Sequence, residues 1–252
     1  MKHLIFFSIC IITLSGCIST EYTVATHKQD IFFYSTEKEV AIGRNIAKQI
    51  ASEFKISKDP KEVERVNRIG SRIAAVCDRK DIHYYFYVID KDEYNAFSIP
   101  GGYVYIYKKL MDSLNDDELA FVLGHEIGHI VARHAIKRLQ AAMGMNLLMI
   151  ASTQANAEPG FQEGLYFALA NITMAYSRDD EFTADELGTK YIKLAGFNPK
   201  AGIEVLNKLY NNQKKQPLRE YSYFRTHPYA AQRIAHIKKY LGLPLDVNDY
   251  IN

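Results

Sequence analysis

His125-Glu126-Ile127-Gly128-His129 places two imidazoles four residues apart with a carboxylate between them. At ~100° per residue the second histidine stands within roughly 40° of the first, one helical turn along. Two imidazoles on one helix face can hold one Zn²⁺. Such an ion lowers the pKa of a water toward ~7, and Glu126, pointing partly aside, can take the proton as general base. The flanks sharpen the signal. Phe121-Val122-Leu123-Gly124 precede the motif and Ile130-Val131-Ala132 follow it. Two histidines and a glutamate inside so apolar a helix are costly unless paired or bound to metal.

A hydrolytic zinc site needs a third protein ligand and one open position. His134 is nearest in sequence, but on a continuous helix it lies ~500° round from His129, on another face. The longer HExxHxxGxxH form needs Gly at 132 and His at 135; the chain has Ala132 and Ala135, which excludes it. Downstream, in Tyr176-Ser177-Arg178-Asp179-Asp180-Glu181-Phe182-Thr183-Ala184-Asp185, Glu181 and Asp185 are i, i+4 and share a face. Glu181 suits the metal, and Asp185 suits the spare N–H of a ligand histidine. The same acidic run also reads as a solvated first turn that satisfies the helix dipole.

These residues need elements to position them. Thr36-x-x-Glu39 reads as a capping box before a helix to about Phe54. Asp59-Pro60 starts a second helix. His83 to Ile89 and Tyr103 to Tyr107 read as neighbouring strands, with Asn95 to Gly102 between them as an extended piece closed by a Pro/Gly turn. Asn115-x-x-Glu118 caps a helix expected through Arg138 or beyond, and a buried or lid helix is expected over 139–157. Further helices are expected at about Gln162–Ser177, Asp179–Ala195, Pro199–Lys214 and Pro228–Leu241. Helices around a small sheet, with no long linker, give one α+β domain, predominantly helical, over 36–252. With 252 residues, 48% hydrophobic and 24% charged, the chain is long enough for a sizeable core and is neither disordered nor a disulfide knot. A net charge of +2 gives no reason to expect nucleic acid.

The combined motifs resemble the M48 family of zinc metallopeptidases. HEIGH matches its HExxH, SRDDEFTAD its SRxxExxAD-like segment, Thr226-His227-Pro228 through Arg233 its (S/T)HPxxxxR segment, and Asn95-Ala96-Phe97 through Pro100-Gly101-Gly102 its NAF-x-x-PGG strand. The resemblance implies a zincin-like (gluzincin) domain with the small sheet beside the HExxH helix. It implies one Zn²⁺ on His125, His129 and Glu181, with Glu126 catalytic and Asp185 behind the ligands. It further implies an edge strand at Asn95, Ala96 and Phe97 that takes an extended peptide by main-chain hydrogen bonds. His227 and Arg233 would reach the metal side of the cleft, His227 to stabilise an oxyanion or to occupy the open zinc position at rest.

Residues 1–16, MKHLIFFSICIITLSG, have the basic start and apolar run of a secretory signal, too short to span a bilayer. Leu14-Ser15-Gly16-Cys17 resembles the lipobox of bacterial lipoprotein precursors. That implies cleavage before Cys17, acylation of its thiol and new N-terminus with chains such as palmitate, and a tether over 17–35. Ile18 rather than Asp after the cysteine favours the outer membrane in enteric-type bacteria. The expected protein is a zinc-dependent endopeptidase of extended or misfolded polypeptide in the bacterial envelope, anchored through Cys17 and facing the periplasm. The competing expectation is a chaperone-like module that binds unfolded envelope proteins with little proteolysis.

Overall fold

A computed structural model describes residues 19–23, 28–142, 175–215 and 222–246. The signal, Cys17 and most of the 139–157 and 162–174 stretches lie outside the described residues. Strands β1 (Ser19–Thr23) and β2 (Lys28–Phe32) pair antiparallel. Phe32 is buried, and Asp30 pairs with Lys137, so the stretch expected to be a tether joins the fold from its hairpin onward.

Helix α1 (Thr36–Glu53) starts one residue earlier than expected in its capping: Ser35 is the N-cap and its hydroxyl accepts from Lys38 N. Thr36 instead donates to Asp81, and Glu39 is buried against Arg79 and Arg133. Helix α2 (Pro60–Ala74) is capped by Asp59, as its sequence implies. A mixed sheet follows, β3 (Tyr85–Ile89), β4 (Ala96–Ile99) and β5 (Tyr103–Tyr107), in the order β3-β5-β4. β3 runs parallel to β5 and β4 antiparallel to it, which leaves β4 at an edge. The β4–β5 turn uses Gly101 (φ 81°) and Gly102 (φ 93°), a left-handed pair that side chains disfavour.

Alternation along the strands sends Phe86, Val88, Val104 and Ile106 into one core with α2, and Ile89, Ile99, Tyr103, Tyr105 and Tyr107 into a second core under α1. The short α3 (Lys108–Asp112) leads to α4 (Asp116–Val131), which carries the HExxH motif. The Asn115–Glu118 capping box is present at its start. Every residue from Glu118 to Val131 is buried, so α4 passes through the middle of the domain. It packs on α2, β4, α5 (Arg178–Leu194) and α6 (Ala201–Lys215).

Contrary to the expected continuous helix, α4 ends at Val131, and a separate helical run occupies 134–142. Arg133 adopts a left-handed φ of 56°. Its guanidinium reaches Glu39 at 2.9 Å and the Tyr34 carbonyl at 3.0 Å and lies over the Phe32 ring at 3.8 Å. Arg79 donates to the Ile130 carbonyl at 3.0 Å, and the Arg133 amide takes the same oxygen at 3.1 Å. The carbonyl that would carry the next turn is thus already used.

Residues 175–177 are not helical; Ser177 caps α5 through a box with Asp180. The last expected helix, Pro228–Leu241, begins two residues late as α8 (Ala230–Tyr240), and a short α7 (Ser222–Thr226) that was not expected precedes it. His227 and Pro228 lie between the two, and Tyr229 takes a left-handed φ of 67° as the N-cap of α8. Pro228 therefore stands before the helix and does not start it.

Candidate active site

Two helices set the site because they approach closely enough for backbone to touch backbone. A Cβ on Gly128 of α4 would stand 2.8 Å from the Ala184 carbonyl, and one on Gly188 of α5 2.9 Å from the His125 nitrogen. Only glycine permits that separation. The result brings Glu181 and Asp185 against His125 and His129 across 56 residues of sequence, counted from His125 to Glu181. His227 arrives from the α7–α8 junction, fixed by the hydrogen bond its amide N–H donates to Tyr223 O at 2.8 Å.

His125, His129, Glu181 and His227 are fully buried and offer ligand atoms that all lie within 4.8 Å of one another. His125 Nε2 and His129 Nε2 are 3.1 Å apart. Glu181 Oε1 lies 3.4 Å from His129 Nε2 and 3.1 Å from His227 Nδ1, and Oε2 lies 3.6 Å from His125 Nε2. Nitrogen and carboxylate oxygen in this number are a zinc donor set. The outer nitrogen of His125 meets Asp185 Oδ1 at 2.9 Å, which turns Nε2 toward the centre. Glu126 Oε1 is buried and accepts no hydrogen bond among the described residues, an orphaned oxygen that suits a water, while Glu181 Oε2 is paired with the Arg233 guanidinium at 2.8 Å.

Glu126 is not in the ligand group. Its Oε2 accepts from Ser98 Oγ at 2.9 Å, and Oε1 faces His227 Nε2 at 3.4 Å. Ser98 is on β4. The Asn95 carbonyl accepts from Tyr107 N, so alternation turns 95, 97 and 99 toward β5 and the backbone of Ala96 and Ser98 toward the open edge. Consistently, the Ala96 carbonyl lies 3.3 Å from His227 Nε2. Of the three residues expected to present a strand edge, Ala96 does so, while Asn95 and Phe97 turn to β5.

Arg233 is fully buried behind the ligands. It holds Asp185 at 2.7 and 2.8 Å and lies 2.8 Å from Glu181 Oε2. It therefore supports the carboxylates and does not face the open side of the cleft. Burial would raise the Glu181 carboxyl, but the charge of Arg233, with His227 and His129, holds it well below the ordinary carboxylate range. Asp185 is lowered in the same way, burial being outweighed by Arg233. Burial drives His129 well below its usual value despite Glu181, and takes His134 down to about 4 against Asp180. His227 is raised: burial opposes, and the charges of Glu181 and Glu126 prevail.

Several contacts have no signature in the sequence alone. Tyr176 stacks on His129 with ring centroids 3.8 Å apart, and Tyr223 stacks on His227 at 4.8 Å. His134 Nδ1 stands 2.8 Å from His129 Nδ1, because the break at Arg133 returns it to the site. Alternation puts Ser98 on the same face as Ala96 in the expected edge strand, but the sequence does not say that this face meets Glu126.

Comparison with known proteins agrees with the motifs. The model of peptidase family M48 matches residues 60–241, most of the chain, and the chain belongs to that family. The beta-barrel assembly-enhancing protease of Yersinia pestis is 28% identical over 213 residues, covering 80% of this chain and 43% of that protein. The metalloprotease LoiP of Escherichia coli K12 is 27% identical over 178 residues, 69% of each chain. The chain thus spans less than half the length of the first of these relatives. A crystal structure of S. mikatae Ste24p aligns with a TM-score of 0.47 and 18% identity, over 81% of this chain and 56% of that one.

Proposed function

We propose that this member of peptidase family M48 is a zinc-dependent endopeptidase whose catalytic domain runs from residue 36 to 252. His125, His129 and Glu181 would hold one zinc, which when bound would polarise the scissile carbonyl and acidify water. Glu126 is the general base: it takes the proton of the attacking water at Oε1, the oxygen with no hydrogen-bond partner among the described residues, and passes it to the leaving amine. Ser98 holds the other oxygen and so fixes the direction in which Oε1 points. Asp185 orients His125, and Arg233 keeps both carboxylates charged.

Substrate lies along β4 as an added strand and pairs with the backbone of Ala96 and Ser98. Main-chain pairing favours extended or unfolded polypeptide over a fixed sequence. The geometry favours the second of the two roles of His227: its Nδ1 lies 3.1 Å from Glu181 and 3.3 Å from His125, inside the ligand group. His227 would then join His125, His129 and Glu181 in holding the metal when no substrate is bound.

The setting we infer is the bacterial envelope, with the domain anchored by acyl chains on Cys17 at the periplasmic face of the outer membrane and clearing misfolded protein. Support comes from the lipobox-like sequence and from relatives named for barrel assembly. Among the described residues no helix is long and apolar enough to cross a membrane. The observation that carries the enzymatic reading is the meeting of two HExxH imidazoles and Glu181 in one buried group, beside a Glu126 oxygen with no hydrogen-bond partner among the described residues. Cleavage of casein by wild type against Glu126→Gln, with a chelator control, tests it. Loss of activity by 10²-fold or more with zinc retained is expected. Equal cleavage by both would overturn the assignment, and zinc binding without cleavage by wild type would favour the binding module.

A further inference from the structure

We propose that His134 and Asp180 are positioning residues for the His129 ligand, a two-step support that holds its imidazole in the tautomer with Nε2 facing the metal. The proposal rests on the zinc reading above and adds residues that the HExxH pattern does not contain.

His129 Nε2 is inside the ligand group, 3.1 Å from His125 Nε2 and 3.4 Å from Glu181. A histidine that binds through Nε2 carries its proton on Nδ1, and that proton needs an acceptor. For His125 the acceptor is a carboxylate, Asp185, at 2.9 Å. For His129 the atom in place is His134 Nδ1, at 2.8 Å. His134 can accept there only with its own proton on Nε2, and Nε2 stands 3.3 Å from Asp180 Oδ1. The direction of both contacts is then determined: Asp180 takes the proton of His134, and His134 takes the proton of His129. His134 is buried, so it cannot exchange this arrangement for water.

The fold is arranged to allow it. His134 reaches His129 only because α4 stops at Val131 and Arg133 turns left-handed, a bend tied down by Glu39. Asp180 divides its oxygens between two tasks. Oδ2 accepts from the Ser177 hydroxyl at 2.7 Å and its amide at 3.3 Å, capping α5, while Oδ1 is left for His134. Asp180 directly precedes Glu181, so the same turn of α5 supplies a metal ligand and the support of another ligand.

The test is the zinc affinity of the purified full chain, measured by competition with a chromophoric chelator and accompanied by the melting temperature of chelator-treated protein. His134→Leu should weaken zinc binding by roughly 10–100-fold, as loss of such outer support does elsewhere. His134→Asn, whose carbonyl can still accept from His129 Nδ1, should stay within a few-fold of wild type. Asp180→Asn keeps a carbonyl oxygen for the helix cap but presents an amide N–H₂ to His134. It should weaken binding in the wild-type background and add little to His134→Leu. Wild-type affinity in both His134→Leu and Asp180→Asn, or losses that simply multiply in the double variant, would overturn the proposal. Should His134→Leu not fold, the two asparagine variants decide it alone. A wild-type chain that binds no zinc removes the metal reading and this support with it, whereas wild-type binding with indifferent variants removes only the support.

Discussion

The two walls of the site are built by different means. On one side α4 and α5 meet through glycine, with backbone atoms in contact and the ligand carboxylates clamped by Arg233. On the other side β4 touches the catalytic group through one hydroxyl and one carbonyl, Ser98 to Glu126 and Ala96 to His227. The helix wall fixes where the metal ligands are and cannot yield without the core yielding. The strand wall is an open edge that must accept a substrate, so its contacts are few and replaceable. Changes to the first should damage the scaffold and the second should only retune activity.

Arg233→Met tests the helix wall most severely. It leaves Glu181 and Asp185 as two buried carboxylates without their cation, and should cost about 3–5 kcal/mol, read as a fall in denaturation midpoint. Gly188→Ala comes next. Its new methyl meets the His125 backbone, and an overpacking cost of ~1–3 kcal/mol is expected, with zinc affinity falling together with stability because the helices must separate. A loss of stability without a loss of affinity would show that the ligands do not depend on this contact.

Acid should reveal the same wall through its titrating groups. His129 and His134 are held neutral by burial, so the unfolded chain binds protons first as pH falls below 6.5, and stability drops until His134 itself titrates at about 4. The depressed Glu181 and Asp185 extend the loss below the ordinary carboxylate range. His227, raised by its two glutamates, contributes in the opposite sense and loses its contribution as pH rises. Two histidines against one predict a melting temperature for chelator-treated protein that falls from pH 7 to pH 5; a flat or rising profile would contradict the burial of His129 and His134. The smallest effect belongs to the strand wall. Ser98→Ala should lower kcat by roughly tenfold or a little more, since one hydrogen bond to a charged group is worth about 1.5 kcal/mol or a little more, with KM and the fold nearly unchanged. A collapse of the fold by Ser98→Ala would erase the distinction between the walls.

What the sequence made legible follows the same division. HExxH and the i, i+4 pair Glu181–Asp185 are local patterns, and helical periodicity alone turns each to one face. Asp59 and Asn115 likewise announce their helices by short-range capping. The contacts that were not legible are those decided by tertiary competition. Thr36 has the residue type of a cap, yet Ser35 caps, because Asp81 takes the Thr36 hydroxyl and two arginines take Glu39. Nothing in Ala132-Arg133-His134 marks a break. It exists because Arg79 and Arg133 bind Glu39 from 40 and 94 residues away and consume the Ile130 carbonyl. The face rule that set His134 aside was sound for a continuous helix and failed with the helix. Arg233 was legible as part of the site but not as the clamp of its carboxylates, since a sequence pattern carries no side-chain direction.

Anomalous diffraction at the zinc absorption edge, from crystals of the full chain reconstituted with the metal, tests the central claim most directly. One peak per chain is expected, bonded to His125 Nε2, His129 Nε2, the Glu181 carboxylate and, without substrate, His227 Nδ1, with Glu126 beside it and unbonded. A peak elsewhere, or none at that point in fully reconstituted protein, would contradict it.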